Sequence, residues 1–239
     1  MEIKNRPEPV NAANLFIEKY FPNCDGAILA GSVVRGDATE TSDLDIVVFD
    51  QNIHSSYRES LIEFGWPIEL FVHNFTSYKD FFESDAKRAR PTLPRMVSEG
   101  VILKGENVIV PIQCEADEIL AKGPEKWTQD TINIKRYFLT DTLDDFIGCD
   151  NRAEGIFIVG TLAELVSEFV LRTNNCWIGK SKWIVRSLKE FDEDFASRYV
   201  KAFDTYYKKD DKKLVINLVD EVLQHYGGRF FSGFSLGKK

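Results

Sequence analysis

Residues 30–49 read AGSVVRGDATETSDLDIVVF, and the fold follows from how this stretch ends. It opens on Gly31-Ser32, passes through a polar turn, and delivers Asp43 and Asp45 at the mouth of the apolar run Ile46 to Phe49. A short apolar run bounded by turn residues reads as a buried strand. Residues two apart on a strand project from one face, so Asp43 and Asp45 present two carboxylates side by side. Such a pair repels unless something positive sits between its members, and the hard cation that suits oxygen ligands is Mg²⁺. Upstream, Gly26 to Ala30 forms another short strand. Gly31-Ser32 then stands where a helix over Ser32 to Arg35 begins, and offers backbone N–H groups and a hydroxyl to phosphate. A phosphate cradle beside paired carboxylates is the minimum equipment for phosphoryl or nucleotidyl transfer.

Gly31-Ser32, ten intervening residues and Asp43-x-Asp45 in a strand resemble the signature of the nucleotidyltransferase superfamily typified by DNA polymerase beta. Within it, the chain resembles the antibiotic (aminoglycoside and lincosamide) nucleotidyltransferases and their uncharacterised bacterial relatives. The resemblance implies a third carboxylate on a following strand. Glu69, the one charge in Pro67 to Val72 (PIELFV), fits that place. It implies Mg²⁺ held by Asp43, Asp45 and Glu69, with ATP or another NTP as the donor. Glu69 would either complete the metal site or act as general base on the acceptor hydroxyl. Ser32 and the backbone near Gly31 would hold the β- or γ-phosphate, and Arg35, one turn on, would reach a phosphate or lie on the surface. Trp177 to Trp183 (WIGKSKW) resembles a G-x-G-K-W-type turn of helical domains in such relatives, with Ser181 in place of the second glycine. By that resemblance Lys182 reaches the triphosphate, and the acceptor binds between two domains.

The chain has 239 residues, 44% of them hydrophobic, enough for one or two domains with real cores. A formal net charge of −8 argues against a broad grip on nucleic acid, which wants a basic face, and is compatible with a cationic small substrate. The four cysteines, Cys24, Cys114, Cys149 and Cys176, are far apart without C-x-x-C spacing, as thiols of a reducing compartment are. The start, MEIKNRPEPV, is polar, and no run approaches the length that crosses a bilayer. The expectation is a soluble, cytoplasmic protein, monomeric or homodimeric, without nucleic-acid or membrane partners.

The spacing of apolar residues predicts a helix over Val10 to Tyr20, a helix over Ser55 to Phe64, a strand over Trp66 to Val72, and a helix through Phe81-Phe82 capped by Thr76 or Ser77. Pro91 to Glu99 reads as a short helix and Val101 to Lys104 as an edge strand. From Pro111 onward only helices are expected: Glu115 to Lys122, Thr128 to Ile147, Arg152 to Arg172, Lys182 to Phe191, Phe195 to Lys208 and Lys212 to Tyr226. The fold class is therefore α/β plus all-α. A small mixed-sheet nucleotidyltransferase domain over residues 1–108 precedes a helical, acceptor-binding bundle over residues 109–239.

Other residues are candidate ligands with a plainer alternative. Asp141, Asp144 and Asp145 lie three and four apart on one helical face, solvated or aimed at the amines of an aminoglycoside-like acceptor. Glu164 and Glu168 repeat the pattern. Trp177 and Trp183 are packing residues or stacking platforms, and packing is the commoner fate. Arg88, Arg90 and Arg95 form the densest basic patch and read as a solvated face. His54, His73 and His225 are isolated and carry no role. A haloacid-dehalogenase-like phosphatase fits poorly, because there the apolar strand precedes the aspartate pair. The sequence thus points to a Mg²⁺-dependent enzyme moving a nucleoside monophosphate, AMP from ATP, onto a hydroxyl of a small acceptor. The rivals are a protein AMP-transferase of the antitoxin kind and a catalytically idle nucleotide-binding module.

Overall fold

The structure, a computed structural model, describes residues 6–237. The outermost residues of both expected domains, 1–5 and 238–239, lie outside it. The chain separates into two compact units, Met1–Gly123 and Pro124–Lys239.

The first unit is built on a five-stranded mixed sheet of order β3-β4-β2-β1-β5. The strands are β1 (Gly26–Ala30), β2 (Leu44–Phe49), β3 (Tyr57–Glu63), β4 (Trp66–His73) and β5 (Val101–Lys104). β2 runs parallel to β4 and antiparallel to β1, so the two most apolar strands are central. One sheet face, carrying Leu44, Ile46 and Val48 of β2 with Ile68, Leu70 and Val72 of β4, packs on Ala12, Ala13, Phe16 and Ile17 of α1 (Pro9–Tyr20). The opposite face, carrying Val47 and Phe49, packs on α3 (Ser77–Lys87), α4 (Thr92–Glu99) and α5 (Glu106–Lys122) through Tyr78, Phe82, Leu93, Val97, Ile109 and Ile112. Cover on both faces explains why β2 is apolar at nearly every position rather than alternating.

Two expectations are corrected here. Ser55 to Phe64 is not a helix: Tyr57–Glu63 is the edge strand β3, paired antiparallel with β4 from Tyr57 opposite Val72 to Glu63 opposite Trp66. Tyr57, Leu61 and Phe64 are spaced as on a helix, but Phe64-Gly65 makes a two-residue turn with positive φ at both positions, 50° and 77°. That is the turn whose twist suits a tight hairpin. The second correction concerns α5, which begins at Glu106 rather than Glu115 and carries Pro111 inside it. It packs against α4 and β1, so the break between units falls after Gly123, not after residue 108. The cap of α3 also differs, because Asn74 rather than Thr76 or Ser77 accepts the free N–H groups of Thr76 (3.0 Å) and Ser77 (2.8 Å).

The second unit is helical: α6 (Gln129–Gly148), α7 (Arg152–Thr173), α8 (Lys182–Phe191), α9 (Glu193–Lys209) and α10 (Lys213–Gln224). Thr128, Asn151 and Asp192 cap α6, α7 and α9 with their side-chain oxygens. Phe146, Leu162, Val166, Phe169, Tyr206 and Leu223 are buried within it. Beyond α10 the chain turns back onto α6. Arg136 donates to the carbonyls of Gly228 (2.7 Å) and Gly227 (3.0 Å), and Phe234 stacks on Tyr137 with centroids 3.7 Å apart. Among the described residues no helix is long and apolar enough to cross a membrane.

Candidate active site

Asp43 lies immediately before β2, which begins at Leu44, so the aspartate pair straddles the strand's start instead of lying wholly within it. The parallel register sets Asp45 directly opposite Glu69, and the antiparallel register sets it opposite Ala30 at the end of β1. Asp45 and Glu69 share the face of Val47 and Phe71, where the side chains alternate away from α1. One carboxylate oxygen from each of Asp43, Asp45 and Glu69 lies within 4.8 Å of the others, and all three residues are half-buried. Burial, then the charges of Asp43 and Glu69, push Asp45 up from the ordinary carboxylate range to about 6, with Arg35 and Arg58 pulling the other way. Three converging hard oxygen donors, one of them destabilised as an anion, fit a divalent cation such as Mg²⁺.

Gly31 closes the site against the end of β1. Its φ is +84°, and a Cβ there would lie 2.0 Å from Asp45 Oδ2. Only glycine lets the backbone approach the carboxylate so closely. Ser32, the first residue of the one-turn helix α2 (Ser32–Arg35), is buried, and its hydroxyl donates to Ser42 Oγ at 3.1 Å. Ser42 Oγ also accepts from the Thr39 backbone N–H at 2.8 Å, so the two serines fold the 36–43 loop back over the turn. Arg35 donates through Nη1 to Glu99 Oε2 on α4 at 3.1 Å, and Arg95 stands 4.0 Å from the other Glu99 oxygen.

Arg58 is the site neighbour that sequence reasoning missed. Its Nη2 donates to Glu69 Oε1 at 2.6 Å, and its guanidinium lies 5.0 Å from the ring centroid of Phe71, two residues along the same strand face. Reading residues 55–64 as a helix hid it. The turn signal in Phe64-Gly65, flanked by apolar and β-branched residues, would have revealed the hairpin that brings Arg58 beside Glu69.

Residues 15–79 match the family model of the nucleotidyltransferase domain, a span that contains Gly31, Ser32, Asp43, Asp45, Arg58 and Glu69. That span of the first unit is similar to a nucleotidyltransferase domain. A solved structure of a nucleotidyltransferase-like protein from Exiguobacterium sibiricum 255-15 aligns over 90% of this chain and 74% of its own, with 12% identity and a TM-score of 0.48. No curated protein matches the sequence.

Lys182 is exposed at the start of α8, behind Ser181, whose φ is +54°. Asp141, Asp144 and Asp145 are exposed on α6. Asp144 accepts from Arg229 Nη1 at 3.0 Å, and the same guanidinium grips Asp220 at 2.8 and 2.9 Å. Glu168 pairs with Lys135 at 2.9 Å. In the first unit Arg88 pairs with the buried Asp85, whose other oxygen accepts from the Leu93 N–H at 2.7 Å and so caps α4. His73 is buried at the end of β4, against Phe81.

Proposed function

We propose that this chain transfers AMP from ATP to a hydroxyl of a small molecule, using Mg²⁺ held by Asp43, Asp45 and Glu69. The observation that carries the reading is the carboxylate cluster set against the glycine turn of a nucleotidyltransferase domain. In the proposed reaction the acceptor oxygen bonds to the α-phosphorus as the bond to the bridging oxygen breaks, pyrophosphate leaves and the hydroxyl's proton passes to solvent. The chemistry that a bound Mg²⁺ supplies is neutralisation of the charge that develops on the transferred group. The protein's own part is positioning. Gly31 lets the turn lie close against the Asp45 carboxylate, and the backbone at the start of α2 offers N–H donors beside it. Ser32 holds the 36–43 loop through Ser42, which keeps that turn shaped, and its hydroxyl is the proposed phosphate contact. Arg35, anchored on Glu99, adds positive potential next to Asp45.

A small cationic acceptor of the aminoglycoside kind is favoured over nucleic acid by the net charge of −8. The exposed Asp141 and Asp145 are proposed to meet its amines, while Asp144 is already engaged by Arg229. A donor such as ATP implies a cytoplasmic setting. The test is release of pyrophosphate from each NTP with Mg²⁺, across a panel of aminoglycosides and lincosamides, with mass spectrometry of every acceptor. Asp43→Asn and Asp45→Asn are the inactive controls. An adenylyl mass gain on one acceptor, absent in both controls, is the expected result. Tight Mg-ATP binding with no transfer to any hydroxylated compound would remove the small-molecule reading.

A further inference from the structure

Arg58 joins Arg35 as a cation beside the carboxylate cluster, and holds its place there although its side chain is more than half exposed. Two contacts fix it: the 2.6 Å ion pair to Glu69 Oε1 and the seat on Phe71. Both partners lie on one face of β4, and Arg58 reaches them from the paired edge strand β3. The ion pair engages Glu69 Oε1 from the β3 side and makes it the poorer of the two oxygens as a metal donor. Oε2 of Glu69 lies outside that ion pair, on a residue that stands opposite Asp45 in the parallel register.

That count matters for the ion. Mg²⁺ and Mn²⁺ accept carboxylates one oxygen at a time in near-octahedral sets, whereas Ca²⁺ takes six to eight oxygens and readily accepts both from a single carboxylate. We propose that Arg58 is a positioning residue that sets the metal preference of this site, holding Glu69 to one donor oxygen and so disfavouring Ca²⁺ relative to Mg²⁺. The inference rests on the reading of Asp43, Asp45 and Glu69 as metal ligands. It also assigns Glu69 to the metal rather than to the acceptor's proton.

The test uses the full chain, Mn²⁺ as the probe followed by electron paramagnetic resonance, alone and with α,β-methylene-ATP, and Mg²⁺ or Ca²⁺ as competitor. In the wild type, Mg²⁺ displaces Mn²⁺ and Ca²⁺ does so poorly. Arg58→Ala frees the second oxygen, and Ca²⁺ is expected to gain about ten-fold on Mg²⁺ as competitor, while Arg58→Lys, which keeps one donor on Glu69, stays near wild type. Loss of a nearby positive charge alone would tighten all three ions together and leave the ratio unmoved. A Ca²⁺-to-Mg²⁺ ratio equal in wild type and Arg58→Ala, with Mn²⁺ still bound, overturns the proposal and leaves the metal site standing. Mn²⁺ binding that is absent, or unaffected by Asp45→Asn, overturns the metal site and this inference with it. Circular dichroism of each variant separates misfolding from a change of preference. Once Glu69→Gln is in place, adding Arg58→Ala should no longer move the ratio.

Discussion

Asp45→Asn should make the protein more stable in the absence of metal while abolishing the proposed transfer. Asn has nearly the shape of a protonated aspartate, so the substitution removes a charge and leaves the packing against Gly31 largely as it was. The magnitude follows from linkage. Asp45 is pushed up to about 6 from an ordinary value of 3.8, because burial and two neighbouring carboxylates penalise its ionised form. A carboxyl raised on folding binds its proton more tightly in the folded than in the unfolded chain. The folded state therefore carries no penalty below about pH 4, a growing one through the interval up to about 6, and the full one above. That full penalty is about 3 kcal/mol at neutral pH. In excess chelator at pH 8, the first unit of the Asn variant should thus unfold with up to about 3 kcal/mol more stability than wild type, and the gap should close as pH falls toward 4. Urea titration read by hydrogen-exchange mass spectrometry on peptides covering residues 26–73 reports this unit separately from the helical one. Adding Mg²⁺ should stabilise wild type and leave the variant unmoved. A variant no more stable than wild type in chelator at pH 8, or one whose advantage grows on acidification, would refute this linkage.

Gly31→Ala combines a positive φ with a Cβ placed 2.0 Å from Asp45 Oδ2, so it should cost the first unit roughly 1–3 kcal/mol and abolish the proposed Mg²⁺-dependent transfer, measured by thermal unfolding and pyrophosphate release. His73 is 3% exposed with its Nδ1 unpartnered among the described residues, and burial pushes it down to about 4. An imidazole lowered on folding costs nothing above its unfolded value of 6.5, and destabilises the fold as pH falls from there through about 4, by about 3 kcal/mol in all. His73→Leu should therefore flatten the acid limb of the first unit's stability profile, and an unchanged limb would assign that loss to other groups.

Much of the first unit was legible because its signals are local. The apolar run after Asp45, the lone charge of Glu69 in an apolar strand and the Gly31-Ser32 turn each declare themselves within a few residues, whereas the strand period reaches Asp45 but not Asp43, which precedes β2. What escaped depended on partners far along the chain or on competing periodicities. Tyr57, Leu61 and Phe64 suit a helix as well as a strand, and only the turn at Phe64-Gly65 separates the two. With the hairpin unseen, the pairing of Arg58 with Glu69 could not be anticipated. Pro111 hid the true start of α5, since a proline in the second turn removes a hydrogen bond yet leaves the helix intact when the surrounding packing is strong. The hydroxyl partnership of Ser32 with Ser42 arises from loop closure across ten residues, which no spacing rule encodes. The pairing of Asp144 with Arg229 spans 85 residues.

The parallel register of β2 and β4 has a consequence for how this sheet forms. Pairing Asp45 with Glu69 is the one alignment that brings two anions face to face, so at that rung electrostatics argues against the alignment that hydrophobic packing demands. Sliding β4 by one residue would relieve the repulsion, but it would turn Ile68 and Leu70 out of the α1 core and Glu69 into it. The native alignment is thus a locally frustrated one, upheld by the apolar rungs on either side. A cation arriving at this rung would bind the charges and also reward correct strand alignment, so ion concentration during synthesis should bear on the yield of properly aligned chains.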